Sequence, residues 1–222
     1  MFHPIFKPNQ RGRFLPHQLL IAAFAFIASV ALPQYSFAFL SFTESAELIG
    51  PGHYQFGVEP QLINVGGSGL NANVNFDYGI ADDSSGRVSL STGADVDFMA
   101  FGSYKWVPFP DVNNQPGIGF RGGVGIARVL NNNFMVFQGG PVFSKKTPSS
   151  LGPMVPYIAI PIHLISTKNE NYFASHLAIG SEMHLLRLPG AKTTLELGMN
   201  LSRSYSYLSV LFSFPFEGRK GY

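Results

Sequence analysis

The side chains in this sequence with chemical reach are thinly spread. They are the acids Glu59, Asp77, Asp97, Glu182 and Glu196, the bases Arg87, Lys105 and Arg121, and the histidines His53, His163, His176 and His184. Carboxylates and imidazoles could do acid–base work if the fold brought them to one place. Mixed charges enclosed together would instead pair into a plug, because buried charges must find partners. The glycines Gly117, Gly119, Gly122, Gly123 and Gly125 hint at a phosphate loop. No helix pattern follows them, so strand curvature or close packing is the better reading.

The elements that must position these residues read as strands. From residue 51 onward apolar and polar residues alternate, and alternation means strands with two chemically different faces. Leu70, Ala72, Val74, Phe76, Tyr78 and Ile80 share one face, with Asn71, Asn73, Asn75, Asp77 and Gly79 on the other. Tyr54, Phe56, Val58, Pro60 and Leu62 stand in the same way against Gln55, Gly57, Glu59 and Gln61, so the two stretches form a hairpin. Strands are expected near 52–63, 70–81, 86–93, 96–108, 117–129, 133–144, 155–166, 172–186, 192–202 and 204–216. Fusing neighbours at 93–95 or 202–204 would give strands far longer than the roughly 9 to 11 residues that cross a bilayer. Ten strands result, with eight as the alternative.

Alternation alone does not say which face points outward, but composition does. Charged residues make up 13% of the chain, against about 25% in average soluble proteins. The polar face is Asn, Ser, Gly, Gln and Thr with scattered charges, which suits a lumen and would make a poor soluble surface. The apolar face, for example Leu195, Leu197, Met199 and Leu201, would aggregate in water and is at ease in lipid. Phe56, Val74, Leu197 and Phe212 are expected to face lipid. The fold class is therefore all-β: a closed, antiparallel, up-and-down transmembrane β-barrel. The net charge of +2 leaves no electrostatic footprint for nucleic acid.

By parity the lumen holds a charge network of Glu59, Asp77, Asp97, Lys105, Arg121, Glu182 and Glu196, with Arg87. A turn near Asn113 sets Lys105 beside Arg121, and a turn near Pro189 sets Glu182 beside Glu196. Like charges side by side destabilise one another, so the two pairs are expected to face each other across the ring as a plug or a constriction. Every strand histidine falls on the lumen face. Tyr54, Phe56, Tyr78, Tyr104, Trp106, Phe214 and Phe216 gather at one rim as an aromatic girdle. Phe134, Phe173 and Tyr205 are a thinner set at the other. Lys145 and Lys146 read as solvated turn residues.

At the N-terminus, Lys7, Arg11 and Arg13 precede an apolar run from Leu19 to Leu32 and the small-residue site ending at Ala38. That is the order of a secretory signal peptide. The run would span about 21 Å as a helix, short of the roughly 30 Å hydrocarbon core. The chain has no cysteine, so it has neither a lipid-accepting Cys nor a disulfide framework. The expected organisation is 1–38 signal peptide, 39–51 periplasmic lead-in, 52–216 barrel and 217–222 tail.

On the signal peptide, the entry segment Gly50–Gly57 and the terminal strand Leu208–Phe216, the chain resembles small bacterial outer-membrane β-barrel proteins from about Glu44 to Phe216. The resemblance implies an outer-membrane protein of a Gram-negative bacterium, with lipid as its surroundings and the outer-membrane assembly machinery as a partner through the last strand. Here Tyr222 follows Phe216 at the end. The constellations of outer-membrane proteases and lipid A deacylases are missing, so no catalytic residue, cofactor or metal site is expected. The short outer loops speak against an adhesin or receptor. Two functions stay open: a structural barrel with a closed polar core, and a narrow, porin-like pore for small polar solutes.

Overall fold

The computed structural model describes residues 40–65, 69–93, 96–129, 132–150, 152–168, 170–184 and 191–217. The leader with its cleavage site at Ala38, and the tail beyond Glu217, lie outside the described residues. The strands are β1 (His53–Val65), β2 (Gly69–Ala81), β3 (Ser84–Gly93), β4 (Phe98–Phe109), β5 (Gly117–Val129), β6 (Asn132–Ser144), β7 (Met154–Ala159), β8 (Ile162–Ser166), β9 (Asn171–His184), β10 (Lys192–Ser202) and β11 (Ser206–Glu217). Each pairs antiparallel with its neighbours in one sheet. β7 and β8 are two halves of a single wall position: both pair with β6 and with β9, and Ile160 and Pro161 interrupt them. Pro161 has no N–H to carry the ladder through. β1 pairs with β11, and β9 with β10, so ten strand positions close into an up-and-down barrel. Closure leaves no unpaired edge.

Alternation sorts the wall as its two faces require. On the outside, Phe56 is 40% exposed, Val74 39%, Leu197 45% and Phe212 42%, and each was expected there. On the inside, Gln55, Glu59, Asn73, Asn75 and Ser89 are buried. Such an inversion, apolar outside and polar inside, is stable only where lipid replaces water around the wall.

At the rim where β1 begins, Tyr54 stacks on Tyr78 with centroids 4.9 Å apart, and Trp106 lies 6.5 Å from Phe120. Phe56, Tyr104 and Phe214 are exposed at the same level, and the Phe216 backbone pairs with Tyr54. Trp106 Nε1 donates to Asp83 Oδ2 at 3.1 Å, a polar anchor at the rim. At the opposite rim only Phe173 of the expected aromatic set points outward. Phe134 and Tyr205 are buried within an apolar cluster with Ile63, Met99, Val129, Ile165 and Tyr172. Their position explains it: Phe134 is in step with inward Val136, and Tyr205 with inward Tyr207. This cluster fills the far end of the lumen.

The glycines of β5 serve packing. A side chain on Gly123 or Gly125 would run into the ring of Phe101 on the adjacent strand. Gly198 meets Tyr207 in the same way.

Candidate functional site

The lumen is occupied by the chain itself. Residues 40–46, read from sequence as part of a periplasmic lead-in, are buried inside the ring, with Phe42 and Ser45 fully enclosed. The segment leaves the lumen through Glu47–Gly50 and turns into β1 at Gly52, whose φ of 74° suits glycine. At its inner end Leu40 joins the apolar cluster at the far rim.

Inward charges hold this segment by its main chain. On β10, the Glu196 carboxylate accepts the Phe42 amide at 2.8 Å and the Thr43 amide at 2.6 Å. Tyr157 and Tyr207 hydroxyls donate to the same carboxylate at 2.6 and 2.7 Å, fixing it in place. On β9, Glu182 accepts the Ser45 amide at 2.5 Å. On β1, Glu59 accepts from the Ser41 and Ser209 hydroxyls, from Thr43 Oγ1 at 3.2 Å and from Asn75 Nδ2 at 3.0 Å.

The opposite wall supplies donors. Arg121 Nη1 on β5 donates to the Phe42 carbonyl at 2.6 Å, and its guanidinium lies 5.2 Å from the Phe42 ring centroid. Lys105 Nζ on β4 donates to the carbonyls of Ser45 at 3.0 Å and Glu47 at 2.6 Å. Thr43 sits between the two walls with φ 41°. A non-glycine residue there costs about 1–3 kcal/mol and persists only where its surroundings over-determine it. Two adjacent amides aimed at one carboxylate are such surroundings.

The segment also brings a charge of its own. Glu44 pairs with Arg87 at 3.1 Å and Lys105 at 3.4 Å, while Arg87 pairs with Asp77 on β2 at 2.5 Å. Lys105 and Arg121 do stand side by side, and Glu44 together with the segment's carbonyls is what makes that tolerable. At the mouth, Glu47 is held by Lys146 at 2.9 Å, His184 at 3.2 Å and Lys192 at 3.9 Å. Burial alone would raise the Glu47 carboxyl, but Lys146, Lys192 and His184 outweigh it and keep it below the ordinary carboxylate range. Lys145 and Lys146 are thus not merely solvated, for Lys145 Nζ also pairs with Asp111 at 2.5 Å.

Of the charges expected in the lumen, the structure gathers Glu59, Asp77, Lys105, Arg121, Glu182 and Glu196, together with Arg87. Asp97 is exposed in the connection before β4, because β4 begins one residue later, at Phe98. Glu182 and Glu196 are not direct neighbours: Thr194 stands opposite Glu182, and Gly180 opposite Glu196. The acids and bases do not meet as a direct cross-lumen plug either, since the N-terminal segment lies between them. His163 and His176 are buried; His176 Nε2 lies 3.0 Å from the Tyr207 hydroxyl and so braces the tyrosine that holds Glu196. What sequence reasoning missed is Glu44 and the segment around it.

Beside the segment, one cavity between Thr43, Glu44, Arg87, Lys105, Glu182 and Thr194 has a volume of about 20 Å³. That is room for about one water.

No family model matches the chain, and neither does any curated protein. Among solved structures, it is similar to a de novo designed transmembrane β-barrel, at 11% identity and TM-score 0.38, over 77% of this chain and 100% of that one. It is also similar to a bacterial polysaccharide outer membrane secretin, at 10% identity and TM-score 0.45, over 74% of this chain and 66% of that one.

Proposed function

We propose that this chain is an integral outer-membrane β-barrel of a Gram-negative bacterium that its own residues 40–49 keep closed, with a structural rather than a conducting or catalytic role. The observation that carries this reading is the filled lumen. A segment held by its amides on one wall and its carbonyls on the other lies buried across the lumen, and the cavity beside Glu44 and Lys105, about 20 Å³, is too small for a hydrated solute. The outward apolar wall and the aromatic rim support a lipid setting. On this reading the assembly machinery engages the last strand, the inward charges serve the segment rather than a substrate, and no cofactor is involved.

Planar-bilayer recording tests it. The intact chain is expected to insert without a discrete open level. A stable open level in the intact chain would establish the narrow pore instead. A mature chain that stays soluble without detergent would end the membrane reading altogether.

A further inference from the structure

Among the described residues, every buried carboxylate of the lumen has a cationic counterpart except one. The acids are Glu44, Glu59, Asp77, Glu182 and Glu196; the bases are Arg87, Lys105 and Arg121, with Lys192 at the mouth. Arg87 takes Asp77, Lys105 takes Glu44, and Lys192 takes Glu182. Arg121 answers Glu196 through the Phe42 carbonyl and amide. Glu59 remains, 1% exposed, and its hydrogen bonds come from the neutral Ser41, Thr43, Asn75 and Ser209 side chains. A net negative charge enclosed in a low-dielectric interior is costly and calls for a partner.

Beside Glu59 lie oxygens that lack partners too. Asn73 stands directly opposite Glu59 on β2, and Ser91 directly opposite Asn73 on β3. At the next inward position of β2, Asn71 Nδ2 donates to Gln61 Oε1 on β1 at 3.5 Å. Its Oδ1 is turned the other way, over Gly93 on β3, where a Cβ would sit only 2.0 Å from it. Asn71 Oδ1, Asn73 Oδ1 and Ser91 Oγ are all buried without a hydrogen-bond partner. Asn75, on the same face of β2, is complete by contrast: it donates to Glu59 and accepts from Ser89. Orphaned buried oxygens cost free energy, and in a folded protein they call for a water or an ion.

We infer that Asn71, Asn73 and Ser91, with the Glu59 carboxylate beside them, bind one alkali-metal cation, sodium or potassium. A water could donate to two of these oxygens but would leave the charge of Glu59 unanswered. Neutral carbonyl oxygens replace the hydration shell of a monovalent cation, whereas calcium takes about 6–8 oxygens, with carboxylates among them, and here a single carboxylate adjoins. The ion is a counter-charge for the fold, not a cofactor. Amide and hydroxyl oxygens are ordinary on a polar lumen face, so residue type alone does not mark the site. The inference rests on the closed barrel and is independent of whether the lumen conducts.

The test is urea unfolding of the full chain in phosphatidylcholine vesicles, in sodium, potassium or choline chloride at equal ionic strength. A ligand that binds only the folded state stabilises it increasingly as its concentration rises. The urea midpoint is therefore expected to be higher in sodium or potassium than in choline and to climb with the alkali concentration. Combining Asn73→Leu with Ser91→Ala is expected to remove that difference, as is Glu59→Gln alone, which cancels the charge. Equal midpoints in all three salts for the unaltered chain would assign the counter-charge to a proton and overturn the site. An undiminished alkali response in the double variant or in Glu59→Gln would overturn it as well. Should those variants fail to fold, Ser91→Ala alone is expected to weaken the alkali response several-fold, and an unchanged response there overturns the site.

Discussion

Arg121 and Glu196 act on each other through a third residue: the guanidinium donates to the Phe42 carbonyl at 2.6 Å, and the carboxylate accepts the Phe42 amide at 2.8 Å. The two charges stand on β5 and β10, on opposite sides of the ring, and one residue joins them. Arg121→Met and Glu196→Gln are each expected to destabilise the barrel by about 1.5–3 kcal/mol, the range for hydrogen bonds to charged groups. Once one has released the segment the other has less to lose, so the double variant should fall short of the sum by about 0.5–3 kcal/mol. Urea unfolding in lipid vesicles measures this, and strict additivity would show that Phe42 does not link the walls.

Gly198 faces the ring of Tyr207 across the β10–β11 pair, with no space for a side chain. Gly198→Ala should push the tyrosine away from Glu196 at an overpacking cost of about 1–3 kcal/mol. The segment should loosen with it. Faster amide exchange at Phe42 and Thr43 than in the unaltered chain is the expected signature; unchanged exchange would mean that Tyr207 does not position the carboxylate.

Val74 lies near the middle of β2 on the outward face. Val74→Lys is expected to cost about 2–4 kcal/mol, the penalty for a cation near the bilayer midplane. Val74→Leu should be close to neutral. Folding yield into vesicles compares the two, and equal yields would place this face away from lipid.

Glu47 gives a dependence on acid. Its folded carboxyl lies below the ordinary range because Lys146, Lys192 and His184 outweigh its burial. The unfolded carboxyl titrates at about 4.3. Between the two values the unfolded chain binds more protons, so this contribution is complete above about pH 4.3 and is lost as pH falls through the folded value. Glu47→Gln should therefore flatten the stability profile on the acid side and leave the neutral side unchanged in slope. An identical acid profile in the variant would show that Glu47 carries none of it.

Much of the wall was legible in the sequence, and particular residues show why. Lys105 pairs with Arg121 as a turn near Asn113 requires, because hairpin register follows from the turn and the period of two. The same reasoning missed Glu182 and Glu196, since a shift of one residue in the turn moves every partner on the opposing strand by two. Phe134 and Tyr205 read as rim aromatics by their place at the strand ends, but their parity puts them inside, where they are buried.

The sequence by itself determined the barrel, its polar interior and its apolar exterior, because side-chain alternation is a local property of an extended chain. Only the tertiary structure decided what fills the interior. Residues 40–46 are held mainly by backbone amides and carbonyls, groups that every segment carries, so their recognition leaves little trace in residue type. Glu44 is the counter-charge to Arg87 and Lys105, but the need for it arises only once the ring has closed and brought those cations together.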